Sequence, residues 1–406
     1  MHIPSAPMAS TYAFAAPAFS VHAPASSSVA VSSPVDAGLD ADASDATSAV
    51  AATGAADVVG AADASAPIPA AALPPGSLVI SCAGAASNPA LSSNLLAAVR
   101  EGARLLAGAV DPLDVATRAV VLLEDDPNLN AGTGSAIRID GVSVQMDALA
   151  MDAQGRFGAV AAIGWVRNPV LVARTVADTP YSLLVGSGAV GFARSRGYPV
   201  YDPGAEAARA RRDRAIARML RGLDAGVAPT GAASAGVTPA VGDGAAPVQD
   251  ASLGDNSDKD ELGYELFPPR DSAEGVVVVV RSSQGGFAVA ASDGGRAASL
   301  SGQVGAIPVL GAAVFVGPDG AVAATGPAAL LVRQSLARRI YDRMTRSGSP
   351  KGAAVWGLAQ LPAQVDGGVI AVDRHTYHVG SRGPMAWALW TPEGERVAAV
   401  VEEVKR

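Results

Sequence analysis

Five consecutive valines, at positions 276–280, restrict the fold of this chain more than any other feature of its sequence. β-branched residues favour the extended conformation, so the run predicts a strand. A polar turn at 282–286 follows it and leads to a second apolar run at 287–292. Two apolar runs joined by a short turn that contains glycine predict a β-hairpin.

The other predicted elements alternate between strands and helices along the chain. The predicted strands are 78–81, 142–146, 157–163, 183–186, 312–316, 321–324, 369–373 and 386–390, and the predicted helices are 88–106, 112–123, 170–177, one that starts at 188, 205–223 and 328–344. Only 4% of the residues are aromatic, so Ala, Val and Gly supply most of the apolar surface. Small core residues let backbones approach closely, as in layered folds. We therefore predict an α/β layered sandwich.

Two long segments lack this periodicity. Residues 1–76 and 224–266 are rich in Ala, Gly, Pro, Ser and Asp. Such segments cannot bury enough large apolar surface to offset the entropy lost on ordering. The first predicts a disordered tail, and the second predicts a flexible linker or processing site. The linker divides the folded part into two halves, 77–223 and 267–406.

Composition excludes several classes of protein. The chain has 30 Lys and Arg against 38 Asp and Glu, a net charge of −8, which argues against a nucleic-acid partner. No apolar run approaches the roughly 18–20 residues that span a bilayer, and the first residues lack the basic flank of a secretory signal. The single cysteine, Cys82, cannot form an intrachain disulfide, which suits a reducing compartment. We predict a cytoplasmic protein without a membrane partner.

Individual motifs identify no site by themselves. The stretch NAGTGS (130–135) has glycines at alternate positions, but the chain contains no dinucleotide fingerprint and no phosphate-binding loop. His375 and His378 have no cysteine or carboxylate partner at metal-ligand spacing, so we predict no catalytic metal and no organic cofactor. A Ser–His pair that uses His375 is an alternative, although the chain has no nucleophile-elbow motif.

Several motifs taken together resemble one family. LEDDPNLNAGTGS (123–135), QMDALAMD (145–152) and RNPVLVARTVADTPYSLLVGSGAVGFA (167–193) resemble, in order and spacing, the α-chain of plant-type asparaginases and isoaspartyl peptidases. ASDGG (291–295), SGQVGAIPVLGA (301–312) and GGVIAVD (367–373) are similar to the β-chain. The resemblance implies the four-layer αββα sandwich of the N-terminal-nucleophile hydrolases. It also implies a precursor that cuts its own chain and frees a hydroxyl nucleophile with its own α-amine.

The resemblance implies a cleavage point between Asp271 and Ser272. Ser272 is the hydroxyl residue between the predicted linker and the valine strand, and an aspartate usually precedes the cut in the family. However, Ser272 is followed by Ala273, Glu274 and Gly275, whereas the family has Thr-Val-Gly. Ser272 is therefore either the nucleophile or a serine at the end of a loop.

The resemblance also assigns the residues around the nucleophile. Thr325 and Gly326 match the positions that donate hydrogen bonds to the oxyanion, and Asn130 matches an Asn near the nucleophile. Asp293 replaces a Thr that bonds the nucleophile, so its carboxylate is either an added base or a charge that opposes the oxyanion. Gln303 and Ala306 replace the Arg and Asp that bind the substrate's α-carboxylate and α-amine, and a neutral amide cannot reproduce a bidentate Arg–carboxylate pair.

Two further features follow only from the resemblance. The family holds a structural sodium ion through main-chain carbonyls of a loop that corresponds here to 123–133, with Leu123, Glu124, Asn130, Ala131 and Thr133 as ligand positions. The family also assembles as dimers of αβ units, so we expect a homodimer.

Two hypotheses of function result. The first is an amidohydrolase that cleaves itself before Ser272 and acts on a small amide or peptide substrate other than free asparagine. The second is a catalytically inactive family member that serves as a binding or scaffold protein. The replaced residues Gln303, Ala306 and Asp293 motivate both the unusual substrate and the inactive alternative.

Overall fold

The computed structural model describes residues 76–84, 87, 89–204, 206–224 and 275–398. These residues belong to one unit, Ala61–Arg406. Residues 1–75 of the predicted tail and 225–266 of the predicted linker, together with Asp271 and Ser272, lie outside the described residues. No helix in the described ranges is long and apolar enough to cross a membrane.

Strands and helices alternate through the first half, and strands predominate in the second. The strands are β1 (Leu78–Ala83), β2 (Met146–Asp152), β3 (Phe157–Ile163), β4 (Leu183–Val185), β5 (Val276–Arg281), β6 (Phe287–Asp293), β7 (Val314–Gly317), β8 (Gly320–Thr325), β9 (Gly367–Asp373), β10 (Tyr377–Arg382), β11 (Trp387–Thr391) and β12 (Gly394–Ala398). The helices are α1 (Ser92–Ala107), α2 (Pro112–Glu124), α3 (Pro169–Ala177), α4 (Gly186–Ser195), α5 (Glu206–Asp224), α6 (Ala328–Gln334), α7 (Leu336–Ser347) and α8 (Pro350–Ala359). This arrangement confirms the mixed α/β class.

The strands form two sheets. The larger sheet has the order β12-β11-β1-β5-β6-β2-β3-β4, and the smaller has the order β10-β9-β8-β7. The predicted hairpin β5–β6 lies in the middle of the large sheet, where Val278 pairs with Ala290 in antiparallel register. β6 in turn pairs antiparallel with β2, which comes from the other half of the chain. The two halves therefore share one sheet.

The valine strand is buried on both faces. Val276, Val278 and Val280 belong to a core that includes α1, α2 and α3. Val277 and Val279 belong to a second core, which lies between the two sheets and continues to α7 and α8. A strand covered on both faces needs no polar residues in alternation, which explains the unbroken run.

Two predicted elements are wrong in extent. Residues 142–146 are not a strand: Val142 is 82% exposed in a turn, and β2 begins only at Met146. The Asp140 side chain holds this turn by accepting from the backbone N–H of Val142 and of Ser143 at 2.9 and 2.8 Å. Local hydrogen bonds of this kind compete with strand pairing.

The predicted helix 328–344 is two helices. Ser335 has φ 47° and ψ 50°, a left-handed conformation that ends α6 and precedes α7. The apolar spacing across the break stays compatible with one helix, so the sequence pattern did not reveal it. Helix α8 and strand β12 were not predicted.

Candidate active site

Two buried aspartates face each other where β2 begins and β6 ends. Asp147 and Asp293 are direct partners in the antiparallel register of these strands. Asp147 is fully buried and Asp293 is 9% exposed. The chain thus brings an unpredicted acid, Asp147, next to the predicted site residue Asp293.

Three hydrogen-bond donors lie close to Oδ1 of Asp293. Its Oδ1 accepts from the backbone N–H of Gly295 at 2.8 Å and of Gly275 at 3.3 Å. The Nδ2 of Asn130 lies 3.4 Å from the same atom. Gly275 immediately precedes β5, so Asp293 holds the beginning of the valine strand. Ser272 is three residues before this point and lies outside the described ranges.

Both oxygens of Asp147 accept hydrogen bonds from the backbone. Oδ1 accepts from the N–H of Ala162 at 2.8 Å, and Oδ2 accepts from the N–H of Gly305 at 2.6 Å. A Cβ at position 305 would lie 3.1 Å from Oδ2 of Asp147 and 2.9 Å from Oδ2 of Asp293. Gly305 therefore lies against both carboxyl groups, and no described residue donates to Oδ2 of Asp293.

Burial dominates the protonation of this pair. Desolvation, and then the charge of Asp293, raise the pKa of Asp147 to about 6. Burial also raises the pKa of Asp293, although the N–H groups of Gly295 and Gly275 and the charge of Arg138 oppose the rise. A charge on Asp293 therefore disfavours ionisation of Asp147, its strand partner.

A buried arginine supplies the opposite charge. Arg138 is 1% exposed, and its guanidinium donates to Ser299 Oγ at 2.5 Å and to the carbonyl of Gln145 at 2.7 Å. Burial lowers the pKa of Arg138, while the charges of Asp147 and Asp293 raise it. Arg138 therefore acts on the two acids through its charge and fixes the segment around Ser299.

Asn130, which the resemblance predicts near the nucleophile, lies beside Asp293. Its Nδ2 donates to the carbonyl of Gly295 at 2.8 Å, and its Oδ1 accepts from the N–H of Ala136 at 3.1 Å. Its own carbonyl accepts from the N–H of Gly294 at 2.8 Å. A Cβ on Gly294 would lie 2.5 Å from Oδ1 of Asn130, so only glycine fits there.

The predicted oxyanion residues lie in the other sheet. Thr325 is the last residue of β8, pairs with Gly368 of β9 and is 8% exposed. Gly326 follows with φ +151°. β8 packs against β5 and β6 across the core between the sheets. Thr325 therefore belongs to the small sheet, whereas Asn130 and Asp293 belong to the polar cluster of the large one.

Hydrogen bonds join the segment 298–306, which contains Gln303 and Ala306, to residues 137–147. Ala298 N–H donates to Ile137 O at 3.0 Å, and Ile139 N–H donates to Ser299 O at 2.9 Å. Further along, Gly302 N–H donates to Gln145 Oε1 at 2.6 Å. Gln303 is exposed, whereas Ala306 is buried in the core between the sheets.

Sequence reasoning missed Asp147, Arg138 and Gly305. Asp147 lies within the quoted motif QMDALAMD, so the motif contained a signal that could have found it. Gly305 likewise lies within the quoted motif SGQVGAIPVLGA, whereas Arg138 lies in none of the quoted motifs and acts through contacts between distant segments. Two other candidates have no part in this cluster: His375 is exposed in the turn between β9 and β10, and burial raises the pKa of Cys82 to about 12, so its thiol stays protonated.

Main-chain oxygens line the loop that the resemblance relates to sodium. A Cβ on Gly132 would collide with the carbonyl oxygen of Glu124, and a Cβ on Gly134 would collide with those of Pro127 and Leu129. Glycine at 132 and 134 thus lets the backbone approach the carbonyl oxygens of Glu124, Pro127 and Leu129, and carbonyl oxygen is a ligand type that hard cations prefer. Of these three residues, Glu124 is a ligand position that the resemblance gives for sodium. The carbonyls of Asn130 and Ala131 accept from the N–H groups of Gly294 and Gly134.

The comparison with known proteins covers most of the folded part. A protein-family model described as "Asparaginase" matches residues 76–393. The chain belongs to the asparaginase family. The matched residues include all the motifs on which the resemblance was based.

Three relatives indicate the range of the family. The isoaspartyl peptidase of Escherichia coli is 30% identical over 285 residues, which cover 69% of this chain and 78% of that protein. The plant-type L-asparaginase of Pyrococcus furiosus is 30% identical over 269 residues, covering 64% of this chain and 76% of the relative. The plant-type L-asparaginase of Pyrococcus abyssi is 46% identical over 112 residues, which cover 27% of this chain and only 36% of that protein. The family is therefore shared, while the activity of this chain has to be argued from its own residues.

Proposed function

We propose that this chain is an autoprocessed amidohydrolase with the four-layer αββα arrangement of the N-terminal-nucleophile hydrolases. The observation that carries the proposal is the 3.3 Å hydrogen bond from the Gly275 N–H to Oδ1 of Asp293. This bond ties the beginning of β5 to the buried polar cluster. Ser272, the first residue of the second half of the cleaved chain, would therefore lie three residues before Gly275, whose N–H bonds to Asp293.

The proposed chemistry has two stages. In the first, the peptide bond between Asp271 and Ser272 is hydrolysed, which leaves a carboxylate on Asp271 and a free α-amine on Ser272. In the second, that amine takes the proton of the Ser272 hydroxyl while the oxygen attacks the carbonyl carbon of an amide. Thr325 and Gly326 stabilise the oxyanion, and the α-amine of Ser272 passes the proton to the nitrogen of the substrate amide, which leaves. Water then hydrolyses the acyl-enzyme, which releases the acid and restores the Ser272 hydroxyl.

The proposed substrate is an amide or isoaspartyl-type compound other than free asparagine. Gln303 and Ala306 provide neither the cation nor the anion that a free amino acid needs. A site that lacks both partners leaves two charges of such a substrate uncompensated on desolvation.

A second candidate function, an inactive binding or scaffold protein, rests on a specific observation. In the family motif Thr-Val-Gly the nucleophile lies two residues before the glycine. Here Ala273 lies two residues before Gly275, and Ser272 lies one residue earlier. A shift of one residue in an extended segment turns a side chain to the opposite side, which would remove Ser272 from the cluster.

The remaining features of the proposal concern assembly and environment. We expect a homodimer of αβ units, a structural sodium ion in the loop 123–133 and a cytoplasmic location. These expectations rest on membership of the family and on the single cysteine.

Intact mass and N-terminal sequencing test the proposal directly. The wild-type protein should separate into two chains, with Ser272 at the new N-terminus, and Ser272→Ala should remain one chain. The variant Ala273→Ser separates the two hypotheses. If wild type and Ser272→Ala both stay intact while Ala273→Ser is cleaved, the natural chain is an inactive member of the family.

A further inference from the structure

We propose that the site takes an amide whose acyl chain is uncharged and aliphatic, and that this chain lies against the segment from Leu300 to Leu310. The inference rests on the proposed amidohydrolase function and names the substrate class of the same site. It is argued from the charge, the exposure and the anchoring of this segment.

The segment contains no charged side chain. From Ala297 to Pro318 the sequence has no Asp, Glu, Lys, Arg or His. Recognition of an amino-acid headgroup requires a cation for its carboxylate and an anion for its ammonium group. Nothing between these two positions provides either.

Two arginines near the segment, Arg138 and Arg338, are already engaged. The Arg138 guanidinium is buried and bonded to Ser299 and Gln145. Arg338, whose Cβ would lie 3.0 Å from a Cβ on Gly311, pairs with Asp342 at 2.9 Å. Neither is available for a substrate carboxylate without losing these partners.

The two buried acids disfavour a carboxylate further. Gly305 lies in the middle of the segment and against Oδ2 of both Asp147 and Asp293. A substrate carboxylate placed near Gly305 would meet negative charge in a poorly solvated environment, where like charges repel strongly. The electrostatics therefore oppose free asparagine even apart from the absence of a cation.

Aliphatic side chains occupy the exposed positions instead. Leu300 is 70% exposed, Val304 is 36% exposed and Leu310 is 50% exposed. Single exposed aliphatic residues are ordinary, and the three on this segment offer a ligand aliphatic rather than charged groups to contact.

The segment is fixed, so this exposure is a stable property of the surface. Gly302 and Gly305 donate backbone hydrogen bonds of 2.6 Å to Gln145 and Asp147. Gly311 N–H donates to Val314 O at 3.0 Å and anchors the far end. Side chains on a fixed backbone bind an aliphatic chain with a smaller ordering cost than side chains on a mobile loop.

Four amides with the same reacting group isolate each charge. Butanamide carries none, 3-aminopropanamide carries an ammonium group, succinamate carries a carboxylate and asparagine carries both. We expect kcat/KM to be highest for butanamide and at least about tenfold lower for succinamate and asparagine, as is usual when a charged group loses its partner. Each methylene added from butanamide to hexanamide should raise kcat/KM about fourfold.

Two variants test the assigned residues. Gln303→Arg, at an exposed position, should raise the ratio of succinamate to butanamide turnover about tenfold. Leu310→Ser should flatten the dependence on chain length. Val397→Ser is the matched control, because Val397 is 43% exposed on β12, three strands away from β5, and should leave that dependence intact.

Saturation-transfer NMR with the same amides separates this inference from the proposed function. If no amide is hydrolysed but hexanamide binds and asparagine does not, the substrate class stands and the hydrolase function fails. If asparagine or succinamate is bound or turned over better than butanamide, the inference is overturned. Absence of binding by all four amides and hexanamide also overturns it.

Discussion

The buried pair Asp147 and Asp293 should respond very differently to the same Asp→Asn change. In Asp293→Asn the side-chain oxygen can still accept from Gly295 and Gly275, and the new NH₂ takes the place of Oδ2, the atom without a described donor. In Asp147→Asn one of the two acceptors must become an NH₂ that faces the backbone N–H of Ala162 or Gly305. Asp147→Asn should therefore destabilise the protein by about 1–3 kcal/mol below about pH 4, where wild-type Asp147 is protonated, and the difference should shrink as the pH rises through about 6.

The pH dependence gives the second half of this prediction. A rise of the Asp147 pKa from 3.8 to about 6 corresponds to a free energy on the order of 3 kcal/mol. Because the folded pKa is raised, this stability is fully present below about pH 4 and is lost as the pH rises through about 6. Burial, the larger cause, persists in Asp293→Asn, whereas the charge of Asp293 disappears. The variant should therefore lose less stability than wild type between about pH 5 and pH 8.

Urea denaturation followed by circular dichroism at several pH values measures both effects. All proteins must be in the same cleavage state, verified by mass. Asp319→Asn is the control, since Asp319 is 56% exposed by side chain and should change neither stability nor its pH dependence. Equal pH dependence in wild type and Asp293→Asn, or equal destabilisation by the two Asp→Asn changes, would refute the proposed geometry of the pair.

Three further predictions concern individual residues. Burial raises the pKa of Glu124 to about 8, so the stability from its protonated carboxyl is lost as the pH rises through about 8. The melting temperature of Glu124→Gln should therefore depend less on pH than that of wild type between about pH 6 and pH 9. At the alkaline end the variant should melt at a higher temperature than wild type. Gly294→Ala should lower the free energy of unfolding by about 1–3 kcal/mol in urea, because its Cβ would lie 2.5 Å from Asn130 Oδ1 and Ser135 Cα, while Gly191→Ala in the open face of α4 should be neutral or stabilising. Ser335→Gly should raise the free energy of unfolding by about 0.5–1 kcal/mol, since glycine adopts φ 47° without steric strain, and an unchanged or lower value would contradict the left-handed break.

Local patterns predicted much of the fold because they report local preferences. Strand β3 has the predicted bounds, Phe157–Ile163, and the valine hairpin and helix α2 differ from their predictions by no more than two residues at either end. The Asp111 side chain accepts from the Leu113 N–H and Pro112 begins α2, both ordinary signals of a helix start. Where local hydrogen bonding competed with a strand pattern, as at Val142, the prediction was wrong.

The candidate site was predictable only in part. The order of the motifs identified the family and drew attention to Asn130 and Asp293, which the structure brings within 3.4 Å. The pattern did not indicate that Asp147 would lie opposite Asp293, or that Gly305 would contact both. These contacts depend on which strands become neighbours, and hydrophobic pattern does not specify that choice.

The sequence by itself determined the class of fold, the family and the small-residue character of the core, because these depend on composition and on motifs read along one chain. Only the tertiary structure decided that two halves of the chain share one sheet, with β6 between β5 and β2. That pairing removes water from Asp147, Asp293 and Arg138 together and makes their protonation a joint property. Burial and the distance between charges set this property, and both exist only after distant segments have packed.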